Sequence, residues 1–192
     1  MKAVLDACVL YPTVLREILI GVARAGLYTP LWSERILEEW ARATIKLGPG
    51  AEVIARGEIA RLDVDFPKAC VRPQTGLAAR LWLPDPDDIH VLAAAISSSA
   101  DVIITFNASD FPRQTLAEEG LERLDPDQFL HGLWQDHPTT IARCAEAVRA
   151  EAERLSGQPQ PLRALLKRAR LPRLAKALGL QDSPKAAGSS AG

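Results

Sequence analysis

Four acidic residues, Asp6, Glu39, Asp88 and Asp110, lie far apart in the chain, yet each stands where an apolar strand run ends or where a helix opens or turns its buried face. Carboxylates brought to one point repel each other unless something neutralises them. Hard divalent cations with oxygen ligands, Mg²⁺ or Mn²⁺, do so and also position phosphate oxygens. Taken singly, each acid has an ordinary explanation. Asp6 in Val4-Leu5-Asp6-Ala7-Cys8 reads equally as a turn or helix-capping residue, and Glu39 as a solvated helical charge. Asp85-Pro86-Asp87-Asp88 could serve the positive end of a helix, and Asn107-Ala108-Ser109-Asp110 reads as a turn.

The elements that must position these acids follow from apolar patterning. Ala3-Val4-Leu5 is a buried strand run, and Val14, Ile18 and Val22 recur at helical spacing between Pro12 and Ala25. Ser33 caps a second helix that ends at Gly48-Pro49-Gly50. Neighbouring helical positions differ by about 100°, so Glu38 and Glu39 cannot face one site together. Ile36, Trp40 and Ala43 mark the buried stripe, and Glu39 borders it. A third helix is expected from Ala51 to Leu62, then a strand in which Val64 and Phe66 alternate with Asp63 and Asp65, then a short helix from Thr75 to Trp82. Ile89, Leu92, Ala93 and Ile96 form another helical stripe, and Val102-Ile103-Ile104-Thr105 a buried strand.

This alternation predicts an α/β fold with a central, mostly parallel sheet flanked by helices, whose ligands collect beyond the carboxyl ends of the strands. Asp6, Asn107 and Asp110 fall at that edge by chain geometry. Past Phe129 the alternation stops, and Pro138–Leu155, Pro161–Arg170 and Pro172–Leu178 read as helices with proline in the first turn. The expected organisation is an α/β domain over residues 1–130, a helical extension over 131–182 and a flexible tail over 183–192.

Composition narrows the function. The 192 residues carry a net charge of −1, so attraction to a polyanion must come from local patches or bound metal. A run of cations, Arg163, Lys167, Arg168, Arg170, Arg173 and Lys176, is the one marked asymmetry; it suits RNA backbone, an acidic protein segment or plain solvation. Cys8, Cys70 and Cys144 are too few and too irregular for a disulfide framework or zinc cluster, and no apolar run approaches the roughly 18 residues of a membrane span. These features fit a cytoplasmic protein. His90, His131 and His137 lack zinc-site spacing, and no glycine-rich phosphate loop is present. The four tryptophans are read as core or interface anchors.

In sequence order, Val4-Leu5-Asp6-Ala7-Cys8, Trp32 to Trp40, Asp85-Pro86-Asp87-Asp88 with Ala93-Ala94-Ala95, and Ile103 to Phe111 resemble the PIN-domain family. Within it they are similar to the toxin ribonucleases of bacterial type II toxin-antitoxin modules (VapC-like). The likeness covers residues 1 to about 130. It implies Asp6, Glu39 and Asp88 as metal-binding acids, with Asp110 as the fourth because Asn107 occupies a place where relatives often have an acid. Thr105 and Asn107 are implied as supporting hydrogen-bonding groups. Cys8 stands where Asn is frequent and is expected to be a small packed residue. The implied activity is Mg²⁺- or Mn²⁺-dependent hydrolysis of RNA that leaves a 5′-phosphate, in a homodimer held inactive by a cognate antitoxin. A non-catalytic RNA- or partner-binding module on the same fold is the alternative. A metal phosphatase is disfavoured because Asp6-Ala7-Cys8 lacks the second carboxylate that aspartyl phosphatases place two residues on.

Overall fold

A computed structural model describes residues 1–179; the expected tail at 183–192 lies outside them. Its centre is a four-stranded parallel sheet of β1 (Lys2–Leu5), β2 (Thr29–Leu31), β3 (Val102–Ile104) and β4 (Glu122–Leu124), in the order β2-β1-β3-β4. The central strands are apolar on both faces, as a sheet covered on both sides requires: Ala3, Val4, Leu5, Ile103 and Ile104 are wholly buried. The edge strands escape sequence reading for physical reasons. β2 is Thr-Pro-Leu, and Pro30, lacking an N–H, is tolerated because β2 is an edge; β4 is Glu-Arg-Leu and only partly buried.

Helices α1 (Ala7–Leu10) and α2 (Thr13–Arg24) lead from β1 to β2. Helices α3 (Glu34–Ala43), α4 (Ala51–Asp65) and α5 (Ile89–Ser98) lie between β2 and β3, and α6 (Arg113–Glu118) between β3 and β4. Ser33 caps α3 as expected, its hydroxyl accepting from the Ile36 N–H at 3.3 Å. Val64 to Phe66 is not a strand. Helix α4 runs on to Asp65, with Leu62 buried and Phe66, four residues later, against the core and edge-on to Trp32 at 6.0 Å, while Val64 is 79% exposed. The residues that share a face are Leu62 and Phe66, the i, i+4 pair of a helix end, and Val64 falls on the opposite, exposed side. The short helix expected over Thr75–Trp82 is a 3₁₀ segment, Leu77–Arg80, and Trp82 is exposed, whereas Trp32 and Trp40 are core residues.

Beyond β4 the chain is helical: α7 (Pro126–Asp136), α8 (Pro138–Ser156), α9 (Leu162–Arg168) and α10 (Pro172–Gly179). The expected boundary at 130/131 falls inside α7. Ile141 and Ala145 of α8, Leu166 of α9 and Leu174 and Leu178 of α10 join the same core as the sheet. Asp127, 5% exposed, accepts from the Arg173 and Leu174 N–H groups at 2.8 and 3.0 Å, so α7 caps the open start of α10. No helix among the described residues is long and apolar enough to cross a membrane.

Candidate active site

The strand order fixes where a site can form. From β1 the chain crosses to β2 on one side, and β3 lies on the other, so the crevice beyond the carboxyl ends of β1 and β3 is the switch point of the sheet. Leu5 pairs with Ile104, and the next residue on each strand, Asp6 and Thr105, meet there. Thr105 Oγ1 donates to Asp6 Oδ2 at 2.7 Å, and the Cys8 thiol donates to the same oxygen at 3.0 Å. Two donors on Oδ2 orient a carboxylate that is only 4% exposed. The same two groups hold the loop after β3: the Asn107 N–H donates to Thr105 Oγ1 and the Phe106 N–H to Cys8 Sγ. Burial pushes the Cys8 thiol up to about 12, with the Asp6 charge adding to it, so Cys8 is a protonated donor and no nucleophile.

Capping does not account for the acids singled out. Asp6 and Asp88 occupy the N-cap positions of α1 and α5, and neither side chain makes a cap hydrogen bond. In the second acidic stretch that role falls to Asp85, whose Oδ1 accepts from the Asp87 N–H at 2.9 Å at the start of a 3₁₀ turn, Pro86–Asp88. Asp88 Oδ2 is buried with no hydrogen-bond partner among the described residues. Its pKa is pushed up to about 7, by desolvation first and then by the charges of Asp6, Asp110, Asp85 and Glu39.

Glu39 approaches from α3. Arg35, one turn earlier, donates to Glu39 Oε1 at 3.2 Å and to the Asp87 carbonyl at 3.3 Å, tying α3 to the acidic turn. Partial burial still raises the Glu39 pKa against the pull of Arg35. His90 Nε2 comes within 2.8 Å of Glu39 Oε1, but neither ring nitrogen is aligned for a hydrogen bond. Burial, with Arg35 nearby, pulls the imidazole down to about 4, so the contact is a close approach of a neutral ring and not an ion pair.

Asp6, Glu39, Asp88 and Asn107 all line one cleft of about 520 Å³, with Cys8, Tyr11, Lys46, Phe106 and Arg170 among its other walls. Asp110 is not on that wall; it joins Asp88 and Asp85 in a group whose carboxylate oxygens lie within 4.8 Å of one another. Asp88 is thus common to both sets. This oxygen-only arrangement suits a hard divalent cation, and the unpartnered Asp88 oxygen is the atom such an ion would neutralise. Sequence reading missed Asp85, Lys46 and Arg170 as members of the neighbourhood. Asp85 was visible in the acidic stretch but had a sufficient explanation as a cap, which it also is. Arg170 arrives from a part of the chain that no local pattern links to β3.

The family model described as PIN domain matches residues 2–109, more than half of the chain and the span from β1 to the loop after β3. No curated protein and no solved structure matches.

Proposed function

The chain belongs to the PIN-domain family, whose members are typically metal-dependent nucleases, and from that premise we propose that it is an Mg²⁺- or Mn²⁺-dependent endoribonuclease acting as the toxin of a toxin-antitoxin pair. The observation that carries the nuclease reading is Asp88. A half-buried carboxylate with one oxygen lacking a hydrogen-bond partner among the described residues, beside Asp85 and Asp110 and facing the same cleft as Asp6 and Glu39, suits a cation.

A bound divalent ion supplies positive charge to a scissile phosphate and brings a water into an attacking range of pKa. The protein's own groups do the rest. Thr105 and Cys8 fix Asp6 through Oδ2 and leave Oδ1 without a hydrogen bond among the described residues. Arg35 holds Glu39 by Oε1, so Oε2 is available to orient a water. Asn107, anchored through its backbone to Thr105, lines the cleft with a neutral residue where a further carboxylate would add repulsion. The toxin role, the cognate antitoxin and a homodimeric state rest on the likeness of the four acidic segments to toxin nucleases.

The test is incubation of purified protein with bulk RNA under Mg²⁺ or Mn²⁺, beside Asp6→Asn and Asp88→Asn. Both substitutions and chelation are expected to abolish cleavage, and cleavage that survives them overturns the assignment. A wild-type protein that binds RNA but cuts it with neither metal is the non-catalytic module instead. A small DNA-binding protein encoded beside this chain, copurifying with it and suppressing cleavage, is the result expected of a toxin.

A further inference from the structure

The carboxylate cleft repels the polyanion it is read as cutting, and a chain of net charge −1 supplies no general attraction. The cations lining the cleft are Lys46 and Arg170. Each is laid over an aromatic ring that also lines it: Lys46 Nζ lies 5.0 Å from the Tyr11 centroid, and the Arg170 guanidinium 3.8 Å from that of Phe106. A ring face orients a cation without consuming its hydrogen-bond donors. Neither residue has a carboxylate partner among the described residues, whereas Arg42, Arg56 and Arg154 on the outer surface are all paired.

The backbone at Arg170 is the second observation. Its φ is +63°, in the left-handed region where glycine is the usual occupant of a helix end. The turn closes through the Leu171 N–H to the Leu166 carbonyl at 2.9 Å, and both leucines are wholly buried, so the packed core enforces the conformation. A long cationic side chain is therefore kept at a position where local energetics favour none. Strain of this kind, held by a packed framework at the wall of a cleft, points to use of the side chain. Arg170 also separates itself from the rest of the basic run: of those six cations it is the one that lines the cleft.

Resting on the nuclease reading above, we propose that Arg170, brought by the turn between α9 and α10, and Lys46, from the 3₁₀ segment Ile45–Leu47, bind backbone phosphates next to the scissile one and position a single-stranded stretch of RNA across the carboxylates. A cleft of about 520 Å³ is the size that takes a drug-sized segment, such as a short piece of one strand. The C-terminal helices, which lie outside the span matched by the family model, thereby contribute a substrate-binding residue to the site.

The experiment measures binding of a labelled single-stranded RNA oligonucleotide, with Ca²⁺ in place of Mg²⁺, across a salt series, and in parallel kcat and KM for its cleavage with Mg²⁺ or Mn²⁺. Arg170→Gly and Lys46→Ala are each expected to weaken binding about tenfold, and to lower the log–log salt slope by about 0.7, the value for one phosphate contact on a single strand. The loss should appear in KM more than in kcat. Arg170→Lys should fall between, since it keeps the charge but not the planar fork. Arg170→Gly should hold or raise the melting temperature, because glycine suits the left-handed turn, so weaker binding cannot be ascribed to misfolding. Wild-type affinity and salt slope in both variants, or equal binding of a duplex of the same length, would overturn the proposal. Metal-dependent cleavage that ignores both substitutions removes the clamp and leaves the nuclease reading standing; weakened binding by variants of a protein that never cleaves does the reverse.

Discussion

Acidic residues on the outer face of α3 and α4 and those in the cleft live under opposite rules. On the outer face, Glu38 accepts from Arg56 at 2.9 and 3.1 Å and from Arg42 at 2.8 Å, and Glu52 accepts from the same Arg56. Hydrogen bonds from those arginines hold the Glu38 carboxyl down to about 2. One residue on, Glu39 turns to the cleft, and its pKa moves up, as does that of Asp88. The same helix therefore carries an acid that is fully neutralised by cations and an acid that is not. Charge satisfaction is complete on the outer face and only partial where α3 meets the strand ends: Arg35 reaches Glu39, and the Asp88 Oδ2 atom has no hydrogen-bond partner among the described residues. A group of under-neutralised carboxylates is relieved by taking up a proton or a cation.

The sharpest break of this comparison is to remove one charge from each side. Glu39→Gln takes away a cleft carboxylate and is expected to lower RNA cleavage by more than about 100-fold, beyond the usual effect of disturbing a residue that merely supports a metal ligand. Glu38→Gln loosens an exposed arginine network and should leave the cleavage rate within about twofold of wild type, as expected of surface ion pairs. Single-turnover rates under Mn²⁺ decide it. Equal losses in the two variants would mean that helical phase does not distinguish them and that the division between faces is wrong.

Much of this was legible in the chain. The buried runs Ala3-Val4-Leu5 and Val102-Ile103-Ile104 gave the two central strands, and those strands alone place Asp6 and Thr105 side by side. The Ile36 and Trp40 stripe separated Glu39 from Glu38. What could not be read depends on contacts between distant residues. The edge strands are three residues each, too short and too polar to carry a pattern, and they exist because β1 and β3 offer them a partner. Asp85 is a cap by local sequence and a neighbour of Asp110 only once the loop after β3 folds back. Arg170 is one of six cations in a basic run until the turn at Leu171 sets it on Phe106.

A smaller effect tests how the cleft is ordered. Thr105→Val keeps the shape of the side chain and deletes the hydroxyl that donates to Asp6 Oδ2 and accepts from the Asn107 N–H. Removing a group that orients a metal-binding carboxylate typically costs about 10- to 100-fold in metal affinity or activity, and the lower end is expected here because Cys8 still donates to the same oxygen. Thr105→Ser should restore most of the loss. If valine and serine behave alike, Asp6 is positioned by its backbone and the hydroxyl is incidental.

The mildest prediction reads the contrast in stability. Asp88 has a folded pKa of about 7 against an ordinary aspartate value of about 3.9 in the unfolded chain. Between those values the folded state binds a proton that the unfolded state does not. Asp88 therefore favours folding most strongly below pH 4, and that contribution is lost as pH rises through 7. Glu39 shifts in the same direction, while Glu38, held low by its arginines, loses its contribution only as pH falls from the ordinary carboxylate range toward about 2 and so adds little slope between pH 5 and 8. The metal-free protein should accordingly melt a few degrees lower at pH 8 than at pH 5, and Asp88→Asn should flatten that slope. Mn²⁺, taking the place of the proton, should raise the melting temperature at pH 8 and change it little at pH 5, where proton and metal compete. A metal-free melting curve that is level from pH 5 to 8, or an unchanged slope in Asp88→Asn, would show that the cleft carboxylates are satisfied without any cation and that they resemble the outer face after all.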